Sequence, residues 1–204
     1  KPAGVTTHSS LNQKPTSDSL IDPNDGFVEY LSARFGLDLR VAHRLDRETT
    51  GVLSLARSKE AAEKLREAFS SRRVEKRYLL LTDRPSSRSE FEIESHIDRG
   101  PGGIVSSQPT AERPANAHTK FLRLEESHGL TLWEARPSTG RTHQIRLHAA
   151  KSGIPILGDT LYGGTSYPSL CLHSHFLSFE IDGERFSQSF PEPRWFRRRE
   201  FTRS

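Results

Sequence analysis

The sequence predicts an α+β fold. Stretches with the two-residue alternation of strands outnumber stretches with helical spacing, and no internal repeat is visible along the chain. A length of 204 residues suits one domain with a buried core. We therefore expect a single domain over residues 1–204, with two small lobes as the alternative.

The first third of the chain predicts a loop, a helix, a strand and a second helix. Residues 9–26 are rich in Ser, Pro, Asp and Asn and predict a loop. The next segment, FVEYLSARFGLD, has apolar residues at 27, 28, 31 and 35, which predict a short helix ending near Gly36. GVLSLARS (51–58) predicts a strand, and KEAAEKLREAFSSRR (59–73) an amphipathic helix. The apolar face of that helix carries Ala62, Leu65 and Phe69.

The rest of the chain is dominated by predicted strands. KRYLLLT predicts a strand, and the alternating segment FEIESHI lies between the predicted loops RPSSRS and DRGPGGIVSSQPTAERPANAH, within residues 84–118. TKFLRLEE and LTLWEARP resemble a hairpin closed by SHG. THQIRLHAAKSG predicts a helix with Thr142 near its start and Gly153 just past its end. A final strand pair turns at Asp182 and Gly183.

Charge and composition favour an anionic partner and a reducing compartment. The chain has 30 Lys and Arg against 26 Asp and Glu, and the excess is clustered in SSRRVEKR (70–77) and in the basic C-terminal tail, which we place at 193–204. A single cysteine, Cys171, excludes an internal disulfide framework. The sequence contains no signal-peptide pattern and no apolar run of about 18 residues, so we expect no membrane association.

Three stretches concentrate polar chemistry: KPAGVTTH (1–8), HRLDRETTG (43–51) and STGRTHQIRLH (138–148). Each combines glycine with Arg, His or Asp, a composition typical of loops where the backbone approaches a ligand. Arg146 falls on the first turns of the predicted helix, where a guanidinium could face a carboxylate or a phosphate. From spacing alone, the simpler interpretation is that Asp46 and Arg146 are unrelated surface charges.

HRLDRETTGVLSLARS (43–58) resembles the catalytic-aspartate motif of the RluA family of pseudouridine synthases. Thr50 stands where the family usually has Ser, and Ser174 where it usually has Ala. Four further segments resemble family motifs in the same order: KPAGVTTH, EKRYLLL (75–81), STGRTHQIRLHAAKSGIPILGDTLYGG (138–164) and LHSHFLSFE (172–180).

The resemblance implies the pseudouridine synthase fold, with a mixed, mostly antiparallel central sheet, flanking helices and an active-site cleft. It also implies isomerisation of uridine to pseudouridine in structured RNA. The reaction consumes nothing, so we expect no cofactor and no metal. The partner would be a stem-loop of tRNA or ribosomal RNA, bound by a monomer in the cytoplasm, or in an organelle matrix if the source is eukaryotic.

Three residues match the catalytic positions of the family. Asp46 resembles the essential aspartate, which could attack the sugar or the base, or abstract a sugar proton. Arg146 is the candidate partner of that carboxylate, because a guanidinium can hold and aim it with two hydrogen bonds. Tyr78 would stack on the uracil; the alternative for Tyr78 is a tyrosine of the core.

The predicted RNA-binding set surrounds these three residues. Arg44 would fill the gap left when the uridine leaves its stack, and His43 would contact the substrate or brace the loop. The remaining candidates come from the basic cluster and from the RTHQ segment: Arg72, Arg73, Lys76, Arg141, Thr142, His143 and Gln144.

Three alternatives remain open at this stage. Cys171, His173 and His175 alternate along a strand and could ligate zinc, but no CxxC pair accompanies them, so we predict no metal site. An inactive RNA-binding module and a hydrolase using Asp46 with a histidine base are the two alternative functions. Because family members have residues ahead of the first motif, we also expect an N-terminal segment to be missing from this chain.

Overall fold

The computed structural model describes residues 1–8, 26–100, 105–108, 113–191 and 193, so the predicted loop 9–26 and the basic tail lie almost wholly outside the described residues. The chain divides into two compact units. Unit 1 comprises Lys1–Glu75 and Phe176–Phe190, and unit 2 is built on Lys76–His175. Within the described ranges, none of the helices is both long and apolar enough to cross a membrane.

Unit 1 contains two helices and several short strands. Its elements are α1 (Phe27–Phe35), β1 (Arg40–Val41), β2 (Thr50–Gly51), β3 (Leu55–Ala56), α2 (Lys59–Ser70), the later part of β9 (Leu172–Ile181), and β10 (Glu184–Ser189). β1 pairs with β3, and β9 with β10, both antiparallel. The predicted turn at Asp182 and Gly183 is confirmed, with φ of 55° and 77°.

Both predicted helices of unit 1 are confirmed. Gly36 ends α1 in the left-handed conformation at φ 64°. The Ser58 hydroxyl caps α2 by accepting a hydrogen bond from the Ala61 amide at 3.1 Å. The buried face of α2 consists of Ala62, Leu65 and Ala68, while Phe69 is only partly buried. The prediction is therefore confirmed for Ala62 and Leu65, whereas the last fully buried residue of this face is Ala68 instead of Phe69.

The predicted strand over 51–58 is wrong as a continuous element. The structure has two short strands, β2 and β3, separated by three residues. Gly51 has φ 114°, which turns the backbone away from strand geometry. The Ser54 amide donates to Nε2 of His43 at 3.0 Å, so a side chain satisfies a group that a longer strand would have paired.

Unit 2 is an antiparallel sheet covered by a helix. Its elements are the later part of β4 (Val74–Thr82), β5 (Glu90–Arg99), β6 (Val105–Gln108), β7 (Ala117–Ser127), β8 (Leu130–Pro137), α3 (Gln144–Lys151), a 3-10 turn (Thr160–Tyr162), and the start of β9. The strand order is β4-β8-β7-β5-β6. The predicted hairpin is β7–β8, and the α+β class is confirmed.

The core of unit 2 explains this arrangement. Trp133 of β8 and Phe121 of β7 are fully buried, and Ile145 and Ala149 bring one face of α3 into the same cluster. The predicted helix is confirmed as α3, with Thr142 near its start; its first residue is Gln144 because His143 adopts a left-handed conformation at φ 54°. A helical first turn would require a negative φ at that position.

β6 lies inside the segment predicted to be a loop. Val105 is buried with Ile97 and Ala117, and Ser106 and Ser107 pair with β5. Its sequence, VSSQ, has a single apolar residue, so the strand shows no detectable alternation. The strand forms because β5 offers an edge to pair with, which is a tertiary cause that local sequence does not reveal.

A buried polar cluster lies between α3 and the sheet of unit 2. His148 is fully buried; its Nε2 is 2.8 Å from Oγ of Ser95, and its Nδ1 is 2.9 Å from Oγ1 of Thr119. Burial lowers the pKa of His148 to about 4, and the charges of Lys151 and His118 act in the same direction. The ring is therefore neutral near pH 7.

This burial predicts a defined acid sensitivity. The unfolded chain binds a proton on His148 at the ordinary pKa of 6.5, whereas the folded chain binds it only near pH 4. The contribution of neutral His148 to the free energy of unfolding is therefore complete above pH 6.5 and is lost as the pH falls toward 4. Protonation of His148 should lower the free energy of unfolding by about 3 kcal/mol over this pH range. Urea unfolding of the wild type and His148→Asn across this pH range measures it by difference. Identical pH dependence of the two proteins would contradict the prediction.

The loop before β9 depends on two glycines. A Cβ at Gly158 would lie 2.1 Å from the carbonyl oxygen of Ser169, and one at Gly164 would lie 2.0 Å from that of Ile156. Both obstacles are backbone atoms, which cannot rotate away. The two glycines flank Asp159, whose carbonyl accepts from the Gly164 amide at 2.8 Å. The close approach of three backbone segments therefore fixes the position of Asp159.

Gly158 and Gly163 provide a matched test of this constraint, because both have positive φ but only Gly158 has a close neighbour. Gly158→Ala should lower the free energy of unfolding by about 3 kcal/mol or more, since it adds a clash to left-handed strain. Gly163→Ala should cost only about 1 kcal/mol from the strain. Chemical denaturation measures both free energies of unfolding. Equal losses would mean that the close backbone of Ser169 does not add to the cost of a side chain at position 158.

Candidate active site

In unit 1, the loop that carries Asp46 is held by the first residues of the chain. Leu45 is buried, and its backbone exchanges two hydrogen bonds with the Thr7 hydroxyl: the Leu45 amide donates at 3.1 Å, and its carbonyl accepts at 2.9 Å. The ammonium of Lys1 donates to the carbonyls of Val5 at 2.6 Å and Arg47 at 2.8 Å. The KPAGVTTH and HRLDRETTG segments thus form one substructure.

Asp46 lies between these two anchors and is half-buried. Its carbonyl accepts from the Thr49 amide at 3.1 Å, closing a tight turn over Arg47 and Glu48. Burial lowers the pKa of Lys1 to about 8, while the carboxylates of Glu48 and Asp46 act to raise it. Lys1 is therefore a cation close to the candidate aspartate, and sequence reasoning missed it.

The two residues that precede Leu45 differ in role. His43 accepts from the Ser54 amide and stacks on Phe69 with the ring centroids 4.3 Å apart, so it braces the loop against α2. Arg44 is exposed, and its guanidinium makes no hydrogen bond or ion pair within the described part of the chain. Arg44 is therefore the one of these two residues whose charged group is exposed to solvent and available to a ligand.

The basic cluster begins at the end of α2. Arg72 adopts a left-handed conformation at φ 59°, and the Arg73 amide donates to the Ala68 carbonyl at 2.9 Å, which together form a Schellman motif. Glycine is the usual residue at this position, so an exposed arginine there carries strain. Nη2 of Arg73 lies 3.1 Å from Oε1 of Glu67, so this guanidinium already forms one ion pair.

In unit 2, Arg146 forms a buried bidentate pair with Asp159. Its Nε and Nη2 each lie 2.7 Å from a carboxylate oxygen of Asp159, and the two residues are 9% and 2% exposed. The guanidinium carbon also lies 5.0 Å from the centre of the Tyr162 ring. The Tyr162 hydroxyl is 2.8 Å from Nδ1 of His143, so a second candidate joins the cluster.

Sequence reasoning did not identify Asp159 as a partner of Arg146. The signal was present in the GDTLYGG segment, where one carboxylate stands among glycines and apolar residues. The predicted pairing of Arg146 with Asp46 concerns residues of different units and stays a prediction.

The loop Ser138–Thr142 presents the remaining candidates of unit 2. Arg141 and Thr142 are exposed, with Nε of Arg141 donating to the Asn116 carbonyl at 3.2 Å. Gln144, in contrast, is buried, and its amide makes four hydrogen bonds within the unit, so it supports the loop and has no polar capacity left for RNA.

Lys76 and Tyr78 lie on β4. The ammonium of Lys76 donates to the Thr139 carbonyl at 2.7 Å, and burial lowers its pKa to about 8. Lys76 therefore also supports the loop. Tyr78 pairs with Ala135 across the strands and is half-buried against the main core, which leaves part of the ring accessible. Stacking of Tyr78 on a base stays a prediction.

The two outer residues of the CLHSH segment lie in different surroundings. Burial raises the pKa of the Cys171 thiol to about 12, so the thiol stays protonated near pH 7 when no metal is bound. His175 is engaged by the Glu134 carboxylate at 3.1 Å. In the described ranges, no group of three or more His, Cys, Asp and Glu side chains could hold a metal ion.

Comparison with known proteins identifies the family. A family profile described as RNA pseudouridylate synthase matches residues 1–151. The "Ribosomal large subunit pseudouridine synthase C" of Rickettsia bellii is 31% identical over 206 residues, covering 97% of this chain and 66% of that protein. The "RNA pseudouridine synthase 2, chloroplastic" of Arabidopsis thaliana is 37% identical over 142 residues, covering 65% of this chain and 32% of that protein.

The structural comparison agrees with the sequence comparison. The solved "Human RNA Pseudouridylate Synthase Domain Containing 4" superposes with a TM-score of 0.73 and 26% identity, covering 98% of this chain and 86% of that one. The predicted fold is thereby confirmed. The chain spans just under two thirds of the length of the Rickettsia relative. Because the family profile matches more than half of the sequence, the chain belongs to the RNA pseudouridylate synthase family, as its resemblance to the RluA group predicted.

Proposed function

We propose that this chain isomerises uridine to pseudouridine within structured RNA, with Asp46 as the essential carboxylate. The observation that supports this most directly is the Asp46 loop of unit 1, where Thr7 and Lys1 fix the backbone on both sides of a half-exposed aspartate. Rigid support of this kind is what a nucleophile or base requires, since small displacements slow a reaction strongly.

The chemistry that follows needs only the residues of the chain. The bond from the sugar to N1 of a uridine breaks, the uracil turns while bound, and carbon 5 of the base joins the sugar. Carbon 5 then loses its proton, and N1 gains one. Asp46 would act as a nucleophile toward the sugar or the base, or as the base that removes a sugar proton. Since atoms and electrons balance within the nucleotide, the reaction consumes no co-substrate.

RNA would be held by the exposed cations. Arg44, Arg72 and Arg141 are exposed, and among their guanidinium groups only that of Arg141 has a hydrogen bond within the described residues, to a backbone carbonyl. Charges of this kind contact phosphates and make affinity strongly salt-dependent. Arg44 lies beside Asp46, so it is suited to occupy the space of a base that has left its stack.

We propose ribosomal RNA as the first substrate to test, because the name of the Rickettsia relative refers to the ribosomal large subunit. A tRNA stem-loop is the second candidate. The proposed setting is the cytoplasm, or an organelle matrix in a eukaryote, with the chain acting as a monomer.

Asp46→Asn should abolish release of tritium from RNA labelled at carbon 5 of uracil. The substitution preserves shape but removes the charge, so the rate should fall roughly 10²- to 10⁴-fold, the scale of losing a catalytic base. Glu48→Gln removes a carboxylate from the same turn and is the matched control, expected to retain activity. Full activity in Asp46→Asn would refute the proposed role, and retained RNA binding in both variants would show that folding survives.

Arg72→Gly should stabilise the fold while weakening RNA binding. Glycine relieves left-handed strain worth about 1 kcal/mol. Loss of one phosphate contact should reduce the salt slope of binding by about 0.7 to 0.9. Thermal unfolding and fluorescence anisotropy measure the two effects.

Two controls separate strain from charge. His128→Gly relieves a similar left-handed position, at φ 54° in the β7–β8 turn, and should leave RNA binding unchanged. Arg72→Ala should weaken RNA binding as much as Arg72→Gly without the gain in stability. Unchanged affinity in both Arg72 variants would remove this residue from the RNA-binding surface.

A further inference from the structure

A continuous chain of hydrogen bonds crosses unit 2 from β6 to the loop Ser138–Thr142. We call it the Gln144 relay and define it by six side chains, which follow one another through space: Ser107, Ser95, His148, Thr119, Gln144 and Thr139. Successive polar atoms lie 2.7–2.9 Å apart. Four of the six residues are buried, so the chain runs through the interior of the unit.

The loop end of the relay is fixed by Gln144. Its Oε1 accepts from the Thr139 hydroxyl at 2.7 Å and from the Arg141 amide at 3.0 Å. Its Nε2 donates to the His118 carbonyl and to the Thr119 hydroxyl, each at 2.9 Å. All four hydrogen-bonding positions of the amide are occupied, so rotation of this side chain would release the Arg141 backbone.

The interior end of the relay is fixed by His148. A neutral imidazole donates through one nitrogen and accepts through the other, and here each nitrogen faces one hydroxyl, Thr119 on one side and Ser95 on the other. Thr119 therefore lies between two side chains that both orient it. Removal of either one leaves a buried polar atom without its partner, which favours rearrangement of the relay.

We propose that His148 and Thr119 are positioning residues that set the loop Ser138–Thr142, and with it the exposed guanidinium of Arg141, for contact with RNA. The RNA part of this proposal rests on the proposed function, whereas the coupling between His148 and the loop does not. Neither residue touches solvent, and the side-chain hydrogen bonds that lead from them to the loop run through Gln144.

Amide hydrogen exchange tests the coupling without any RNA. Thr119→Val is nearly isosteric and breaks the relay at its centre. It should speed exchange of the Arg141 amide roughly tenfold, the value of one net hydrogen bond. Thr82→Val is the matched control, because Thr82 is also fully buried and donates to a carbonyl, that of Pro155, outside the relay. Equal acceleration in both variants would overturn the proposal, since it would reflect general loosening.

Two substitutions of His148 test the direction of the coupling. An asparagine amide reaches the position of Nδ1 and can keep the bond to Thr119, whereas a glutamine amide reaches that of Nε2 and keeps only the bond to Ser95. His148→Gln should therefore speed exchange at Arg141, and His148→Asn should not. Equal exchange in the two variants would exclude His148 from the relay, and Thr119→Val keeps the test available if His148→Gln does not fold.

A double-mutant cycle tests the RNA part, with a fluorescein-labelled RNA stem-loop carrying a uridine-rich loop as the probe. Thr119→Val and Arg141→Ala should each weaken binding, and the double variant should bind no more weakly than Arg141→Ala alone. Additive losses would overturn positioning through Arg141. If the wild type forms no pseudouridine in ribosomal RNA or tRNA, the proposed function fails, while the cycle and the exchange data still decide the relay.

Discussion

The bidentate pair between Arg146 and Asp159 is the interaction on which the organisation of unit 2 depends. Two charges buried this deeply are stable only when their geometry is close to ideal and their other hydrogen-bonding groups are satisfied. The loop around Asp159 meets this demand through backbone approaches that only glycine permits, at Gly158 and Gly164. The conformation of this loop and the orientation of the Arg146 guanidinium therefore support each other.

The Asp46 loop of unit 1 is stabilised in a different way, by hydrogen bonds from side chains to its backbone. Among the described residues, no buried ion pair involves this loop, and its backbone is held by side chains from a distant segment, chiefly Thr7 and Lys1. Such bonds are individually weak, but several acting on one short loop fix its conformation and leave the carboxylate half-exposed. The proposed role of Asp46 requires a carboxylate that structural hydrogen bonds do not fully occupy, and backbone support of this kind is compatible with that role.

The elements predicted correctly are those with a strong local cause. α1 ends at a glycine, α2 has a serine cap and an apolar stripe, and the hairpin turns follow from glycine at Gly129 and Gly183. β6 was missed because its cause is the free edge of β5. The strand over 51–58 was overextended because His43 captures the amide of Ser54, a contact that its sequence neighbours do not reveal.

The candidate site shows the same division. Motif resemblance named Asp46, Arg146 and Tyr78 and proposed Arg146 as the partner of Asp46, but it did not identify Asp159, Thr7 or Lys1 as supporting neighbours. Gln144 and Lys76 were predicted to contact RNA, yet the structure shows their polar groups holding the loop that carries Arg141. Residue type cannot separate a cation that binds a ligand from one that supports the binding loop, because only the bonds made in the folded chain distinguish them.

The nucleoside balance of a treated RNA tests the central claim most directly. Unmodified ribosomal RNA incubated with the purified chain would be digested to nucleosides and separated by chromatography. The account predicts that pseudouridine appears in the amount by which uridine decreases, with no free uracil. Release of free uracil would reveal a hydrolase, and an unchanged composition in RNA that the chain binds would reveal a module without catalytic activity. Either result would contradict the proposed function.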